Sequence, residues 1–152
     1  MTSARARRRP RRTGQALVEF ALTAPLFFLL LFGIIEAGRF IFYYEILNNA
    51  TREGARYAIV NGANTIGCST GPAAPGTTSC DPAGNDVIAR VRSSAIGVSG
   101  AIAVTPTWSN PANNGRGSTV TVQAVYTYRS LIPIVPLPPI TVAAESSLVI
   151  NT

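Results

Sequence analysis

Residues Gly14 to Ile35 read GQALVEFALTAPLFFLLLFGII, and the twenty residues from Ala16 to Ile35 hold one charge, Glu19. At 1.5 Å per residue these twenty residues make about 30 Å of helix, the thickness of a bilayer's hydrocarbon layer. A membrane-crossing helix is therefore expected over 15–35. Glu19 is the anomaly, because an ionisable group in hydrocarbon costs a few kcal/mol and calls for a partner or a function. Pro25 removes one backbone hydrogen bond and is expected to kink the helix, which a membrane segment tolerates when neighbours satisfy the freed carbonyl.

Upstream, Arg5, Arg7, Arg8, Arg9, Arg11 and Arg12 crowd the first twelve positions with no acidic residue among them. From Thr13 onward seven arginines meet seven carboxylates, so the net charge of +6 resides in this leader. A basic run can bind nucleic acid. Placed directly before an apolar helix, it fits an orientation signal better, keeping residues 1–14 in the cytoplasm and sending the residues after Ile35 outward. With Pro10 and few apolar residues, the leader has nothing to bury and is expected to be disordered.

An ordinary secretory signal has a shorter apolar core ending in a small-x-small site. Here the run ends in Glu36-Ala37-Gly38-Arg39, a poor site, and bulky residues do not come after Arg11-Arg12 as in a twin-arginine signal. The remaining reading is a prepilin-type signal: basic leader, Gly14, the four residues Gln15 to Val18, Glu19, then the apolar helix. A cut between Gly14 and Gln15 would remove every leader arginine, create an amine at Gln15 and make Glu19 the fifth residue of the new chain. Gly14, lacking Cβ, is expected to leave the scissile backbone extended and accessible. Two readings of Glu19 then stand: it pairs with the terminal amine of an adjacent subunit in a water-poor interface, or it snorkels to the headgroups.

Beyond Ile35 no proline interrupts EAGRFIFYYEILNNATREGARYAIV, and Phe40, Tyr43, Tyr44, Leu47, Ala50, Gly54, Tyr57 and Ala58 recur at helical spacing. One continuous helix over 16–60 is predicted, its residues 36–60 forming an exported extension, with Asn61-Gly62 as its stop and Glu36/Arg39 and Glu53/Arg56 as i,i+3 pairs. Tyr43, Tyr44 and Tyr57 are expected as interfacial anchors and core packing. Residues 61–84 read as loop. They contain Cys68 and Cys80, which in an oxidising compartment form a disulfide and otherwise remain two free thiols. Residues 86–96 read as a short helix, and 101–108, 118–128 and 141–150 as strands around the turn SNPANNGRG. The proline-rich 131–140 cannot sit mid-sheet and reads as a loop, for which the membrane surface is one setting.

The fold class expected is α+β. A long N-terminal helix spans the membrane, projects, and packs on a small antiparallel sheet with one further short helix, the layout of a pilin; the domains are 1–14, 15–35, 36–60 and 61–152. The chain has no histidine, no nucleophile–base set and no phosphate loop, so no enzyme, cofactor, small-molecule substrate or metal site is expected.

Three blocks, GQALVEFALTAPLFFLLLFGIIEAGR, NNATREGARYA and VTVQAVYTYRSLIPIVP, resemble the TadE-like pseudopilins of tight-adherence (Flp) pilus systems. The resemblance implies a minor pilin-like protein, cut by a prepilin peptidase after Gly14, anchored in a bacterial cytoplasmic membrane, and partnered by other pilins and the pilus assembly machinery. Glu19 matches the pilin glutamate. The alternative is an uncleaved single-pass membrane protein that presents its exported part as an interaction module in the cell envelope.

Overall fold

An apolar run with a single internal proline and strong helix formers leaves helix as the only way to satisfy its backbone without water, and the run continues into a second periodic stretch with no breaker between them. In the computed structural model, which describes residues 13–63, 69–98, 101–131 and 138–151, α1 accordingly runs Thr13–Val60 without interruption. Pro25 lies inside it and the helix continues on both sides. At the C-terminal end the Asn61 backbone N–H (3.1 Å) and side-chain amide (2.9 Å) both donate to the Tyr57 carbonyl, closing the last turn.

The chain divides into two compact units, residues 1–37 and 38–152. In the first, the apolar residues of α1 face outward on all sides: Leu17, Phe20, Leu22 and Leu26 are all about two-thirds exposed or more (67–74%). A soluble core helix hides one face, and this one hides none.

The second unit is built on the rest of α1. Leu47, Ala50, Thr51, Ala55 and Ala58 are fully buried along one stripe of the helix. They meet the inner face of a three-stranded antiparallel sheet of β3 (Ile102–Trp108), β4 (Thr119–Tyr128) and β5 (Ile140–Val149), in the order β3-β4-β5. In β4 the alternation read from the sequence holds: Val120, Val122, Ala124 and Tyr128 are buried between outward threonines and Gln123, with Tyr126 half-buried against the core. The register pairs Trp108 with Val120, Tyr128 with Ile140 and Ala124 with Ala144. The helix α2 (Asn85–Ser94) closes the core with Val87 and Val91. Gly54 marks where α1 and α2 come closest, since a Cβ there would collide with the Val91 side chain.

Several details depart from expectation. Tyr44 is exposed (45%), because the buried stripe passes through Tyr43 and Leu47 and leaves position 44 on the flank. Ile96 lies beyond the end of α2 and is exposed. Glu53 pairs with Arg90 of α2 (2.6 Å), a bridge between helices. Residues 61–84 are not all loop, for a short parallel pair joins β1 (Ser69–Thr70) and β2 (Ser79–Asp81). Neither segment has strand-forming alternation; tertiary contacts hold them. Asn114, fully buried in the turn after β3, donates its side-chain amide to the Thr70 carbonyl and its backbone N–H to the Pro72 carbonyl (3.2 Å). Gly71, at φ +91°, lies flat beneath the Trp108 ring, where no side chain would fit.

Candidate processing and assembly segment

Gly14, Gln15 and Glu19 all stand exposed at the start of α1. Their placement comes from helix geometry: i and i+4 share a face, so Gln15 sits one turn below Glu19. The Gln15 side-chain amide donates to Glu19 Oε1 (3.1 Å), and the Thr23 hydroxyl one turn further donates to the Glu19 carbonyl (2.9 Å). Within the described residues the Glu19 carboxylate thus has a neutral amide partner one turn before it.

Gly14 is helical, not extended as expected from the sequence, because nothing from Thr13 to Ala24 interrupts the hydrogen-bond ladder. A Cβ built on Gly14 would meet nothing within 4 Å. Packing among the described residues therefore places no demand on a glycine there. The six leader arginines, Arg5, Arg7, Arg8, Arg9, Arg11 and Arg12, lie outside the described residues, as does Cys68. Cys80 sits exposed in β2, and no free cysteine occurs among the described residues.

In the second unit aromatic residues gather at its first turns of α1. The ring of Phe40 meets Tyr128 edge-on (5.6 Å between centroids), Tyr43 lies against Tyr126 (5.3 Å) and Tyr128 (5.8 Å), and the Arg39 guanidinium stands over both Tyr43 and Tyr128. Sequence reasoning takes Tyr43, Tyr44 and Tyr57 alike as interfacial anchors and core packing; Tyr43 and Tyr57 pack against the core and Tyr44 does not, and the sequence has no signal for which strand residues meet them.

Electrostatics elsewhere are structural. Burial pushes the Asp81 carboxyl up, but the backbone N–H of Asp86 (2.7 Å to Oδ2), the backbone N–H of Asn85 and the Asn85 side-chain amide (2.9 Å to Oδ1) outweigh it and hold the group below its ordinary value. Asp81 thereby caps α2 from four residues ahead of it, a role the sequence assigns only to the acidic start at Asp86. The hydrogen bond and charge of Arg90, with Arg56 nearby, lower Glu53 against a small opposing effect of burial. An open pocket lies along α1 beside Glu53, Arg56, Tyr57, Val60 and Asn61, without a nucleophile or base set. Among the described residues no cluster of three or more His, Cys, Asp or Glu side chains could hold a metal.

One helix among the described residues, Gly14–Val60, is long and apolar enough to cross a membrane, with a mean hydropathy of 2.3 over its most apolar window. No curated protein and no solved structure matches the chain. The model of the TadE-like protein family matches residues 14–56, a span that opens on Gly14 and runs into the buried stripe of α1.

Proposed function

We propose that this chain is a minor pilin-like subunit, a pseudopilin, used in assembling a tight-adherence pilus after a prepilin peptidase cuts between Gly14 and Gln15. The observation that carries the reading is the coincidence of the family match, which begins at Gly14, with a helix start where Gly14, Gln15 and Glu19 stand open and no apolar residue of the adjoining run is covered by the rest of the chain. In this reading the leader arginines hold residues 1–14 in the cytoplasm of the bacterial host, residues 15–35 cross its membrane, and residues 36–152 are exported. Cleavage leaves an amine at Gln15, and Glu19 receives that amine from a neighbouring subunit. Removing one half of such a low-dielectric pair costs about 3–5 kcal/mol, enough to fix the axial register of subunits. Pro25 bends the rod so that neighbours satisfy the carbonyl it frees, and Cys68 joins Cys80 in the oxidising compartment. The protein acts by packing; no catalytic step is assigned to it.

The Gln15–Glu19 hydrogen bond supports a second reading, since it gives the carboxylate a partner without any cut. There the chain keeps its leader and presents residues 38–152 as an envelope interaction module. Intact mass and N-terminal sequencing of the membrane-extracted protein separate the two: a chain starting at Gln15 is expected, and one that retains its leader alongside an active peptidase refutes processing. Glu19→Gln should then leave cleavage intact and abolish or shorten the fibres; normal fibres from this variant refute the pairing.

A further inference from the structure

We infer that the outer edge of β5 is a strand-docking site, which takes an extended segment of a different polypeptide, with a lysine or arginine opposite Glu145, as a fourth strand of the sheet. The edge lies within the unit 38–152 and exists whether or not the chain is cut at Gly14.

β3 and β5 are the two outer strands in the order β3-β4-β5, and each turns half of its backbone groups away from β4. The ends of the ladder fix which half. Ile150 donates its N–H to the Ser118 carbonyl (2.8 Å) and its carbonyl accepts from the Gly117 N–H (2.9 Å), so both of its groups face β4. Backbone groups alternate along a strand, so Val142, Ala144, Ser146 and Leu148 face β4 as well, whereas Thr141, Ala143, Glu145, Ser147 and Val149 turn theirs outward. This outward row is about 27 Å long. At the other edge the Ser109 N–H donates to the Thr119 carbonyl (2.8 Å), and the same alternation puts Pro106 in the outward row of β3. A proline has no N–H to offer, so that row is interrupted. β5 contains no proline, and Ala143, Ala144, Ser146 and Ser147 at its middle are small enough to let another backbone lie flat beside them. One edge is guarded and the other is open.

Charge selects the occupant. Glu145 is the one charged residue after Arg129, stands exposed, and is paired across the ladder with the neutral Gln123, whose other neighbour is Thr105. It is also the midpoint of the outward row. A second copy pairing antiparallel over the whole row would set Thr141 against Val149, Ala143 against Ser147 and Glu145 against its own counterpart, and like charges directly opposed destabilise a strand pair. Sliding the copy by two residues separates the acids but leaves an end of each row unpaired. A foreign strand with a cation at its centre meets neither problem: main-chain hydrogen bonds supply the affinity and the cation opposite Glu145 sets the register.

Amide hydrogen exchange of the full-length protein in detergent micelles tests this. The probes are two nine-residue peptides with threonine at odd and valine at even positions, and lysine or glutamate at position 5; N-methyl groups on the even residues stop the peptides from pairing with one another. In the free protein the amides of Ala143, Glu145 and Ser147 should exchange at nearly unprotected rates, and those of Val142, Ala144 and Ser146 slowly. Saturating lysine peptide should slow the first set about tenfold or more. It should bind about fivefold more tightly than the glutamate peptide, with the preference reversed in Glu145→Lys. Ala143→Pro, whose lost N–H serves no bond to β4, should abolish the protection, as should moving the N-methyl groups to the odd residues; the second control decides alone if the variant does not fold. Outward amides that are already slow in the free monomer overturn the inference, because the chain then covers its own edge. Protection that grows with protein concentration alone, with a dimer in sedimentation, overturns it in favour of a second copy. No protection by millimolar lysine peptide, or equal affinity for the two peptides, overturns it as well.

Discussion

Gly54 offers a quantitative test of how the unit 38–152 is packed. An alanine methyl at position 54 would overlap Val91 Cγ2, and it would also reach Val122 Cγ1 (3.5 Å) and Val87 Cγ1 (3.6 Å). All three valines are fully buried, so none can swing into solvent. Two effects oppose each other in Gly54→Ala. Helix propensity and unfolded-state entropy favour alanine by about 1 kcal/mol, whereas inserting a methyl into a filled core costs about 1–3 kcal/mol. The overlap with Val91 is severe enough that the packing cost should win, leaving a net loss of about 1 kcal/mol. Gly54→Val adds bulk and a stiff χ1 and should lose about 3 kcal/mol or more. Val91→Ala alone should cost about 2 kcal/mol through lost methyl burial and a cavity. In Gly54→Ala/Val91→Ala the new methyl enters that cavity, so the double variant should be more stable than the sum of the single losses by about 1–2 kcal/mol. Urea unfolding of the full chain in detergent, monitored by Trp108 emission, reads the unit 38–152 without the signal of the apolar helix. A Gly54→Ala protein as stable as the parent, with no coupling to Val91→Ala, would refute the close approach of α1 and α2.

Three further outcomes concern the loops. Asp81 titrates below its ordinary value in the folded chain, so its contribution is fully present above the unfolded carboxyl pKa of about 4 and is lost as pH falls through the lower folded value; Asp81→Asn should cost about 1–2 kcal/mol at neutral pH and flatten the acid limb of a stability–pH profile. Asn114→Ala strands the buried Thr70 carbonyl and should cost about 2 kcal/mol, with hydrogen exchange accelerating at Thr70 and Gly71 before it does in β4. If Cys68 and Cys80 are joined, reduction should remove about 3 kcal/mol by freeing the short loop between them, and Cys80→Ser should reproduce the loss without any further effect of reductant.

The parts of this fold that the sequence announces are those whose own periodicity is strong. The apolar run after Gln15, the 3–4 spacing of Leu47, Ala50, Gly54 and Ala58, and the alternation from Val120 to Tyr128 each encode an element with little help from elsewhere. The β1–β2 pair is invisible there because Ser69–Thr70 and Ser79–Asp81 have no apolar alternation and are held by Asn114 and Trp108, more than twenty-five residues away. Glu53 pairs on paper with Arg56 because local spacing is all a sequence offers; folding brings Arg90 nearer. In the candidate segment Gly14, Gln15 and Glu19 are legible as a motif. The Gln15–Glu19 contact arises from an i,i+4 spacing that is plain in the sequence.

Because the stripe from Leu47 to Ala58 is the floor on which the sheet is laid, the second unit has no seam at the end of the helix where it could be severed. A fragment beginning at Asn61 would have strands with nothing to lie on, whereas one beginning at Gly38 would retain its own foundation. During synthesis the scaffold is made first and the strands that lie on it come later, so the unit can condense only once β5 has followed. Any attempt to transplant it onto another anchor has to splice ahead of Gly38.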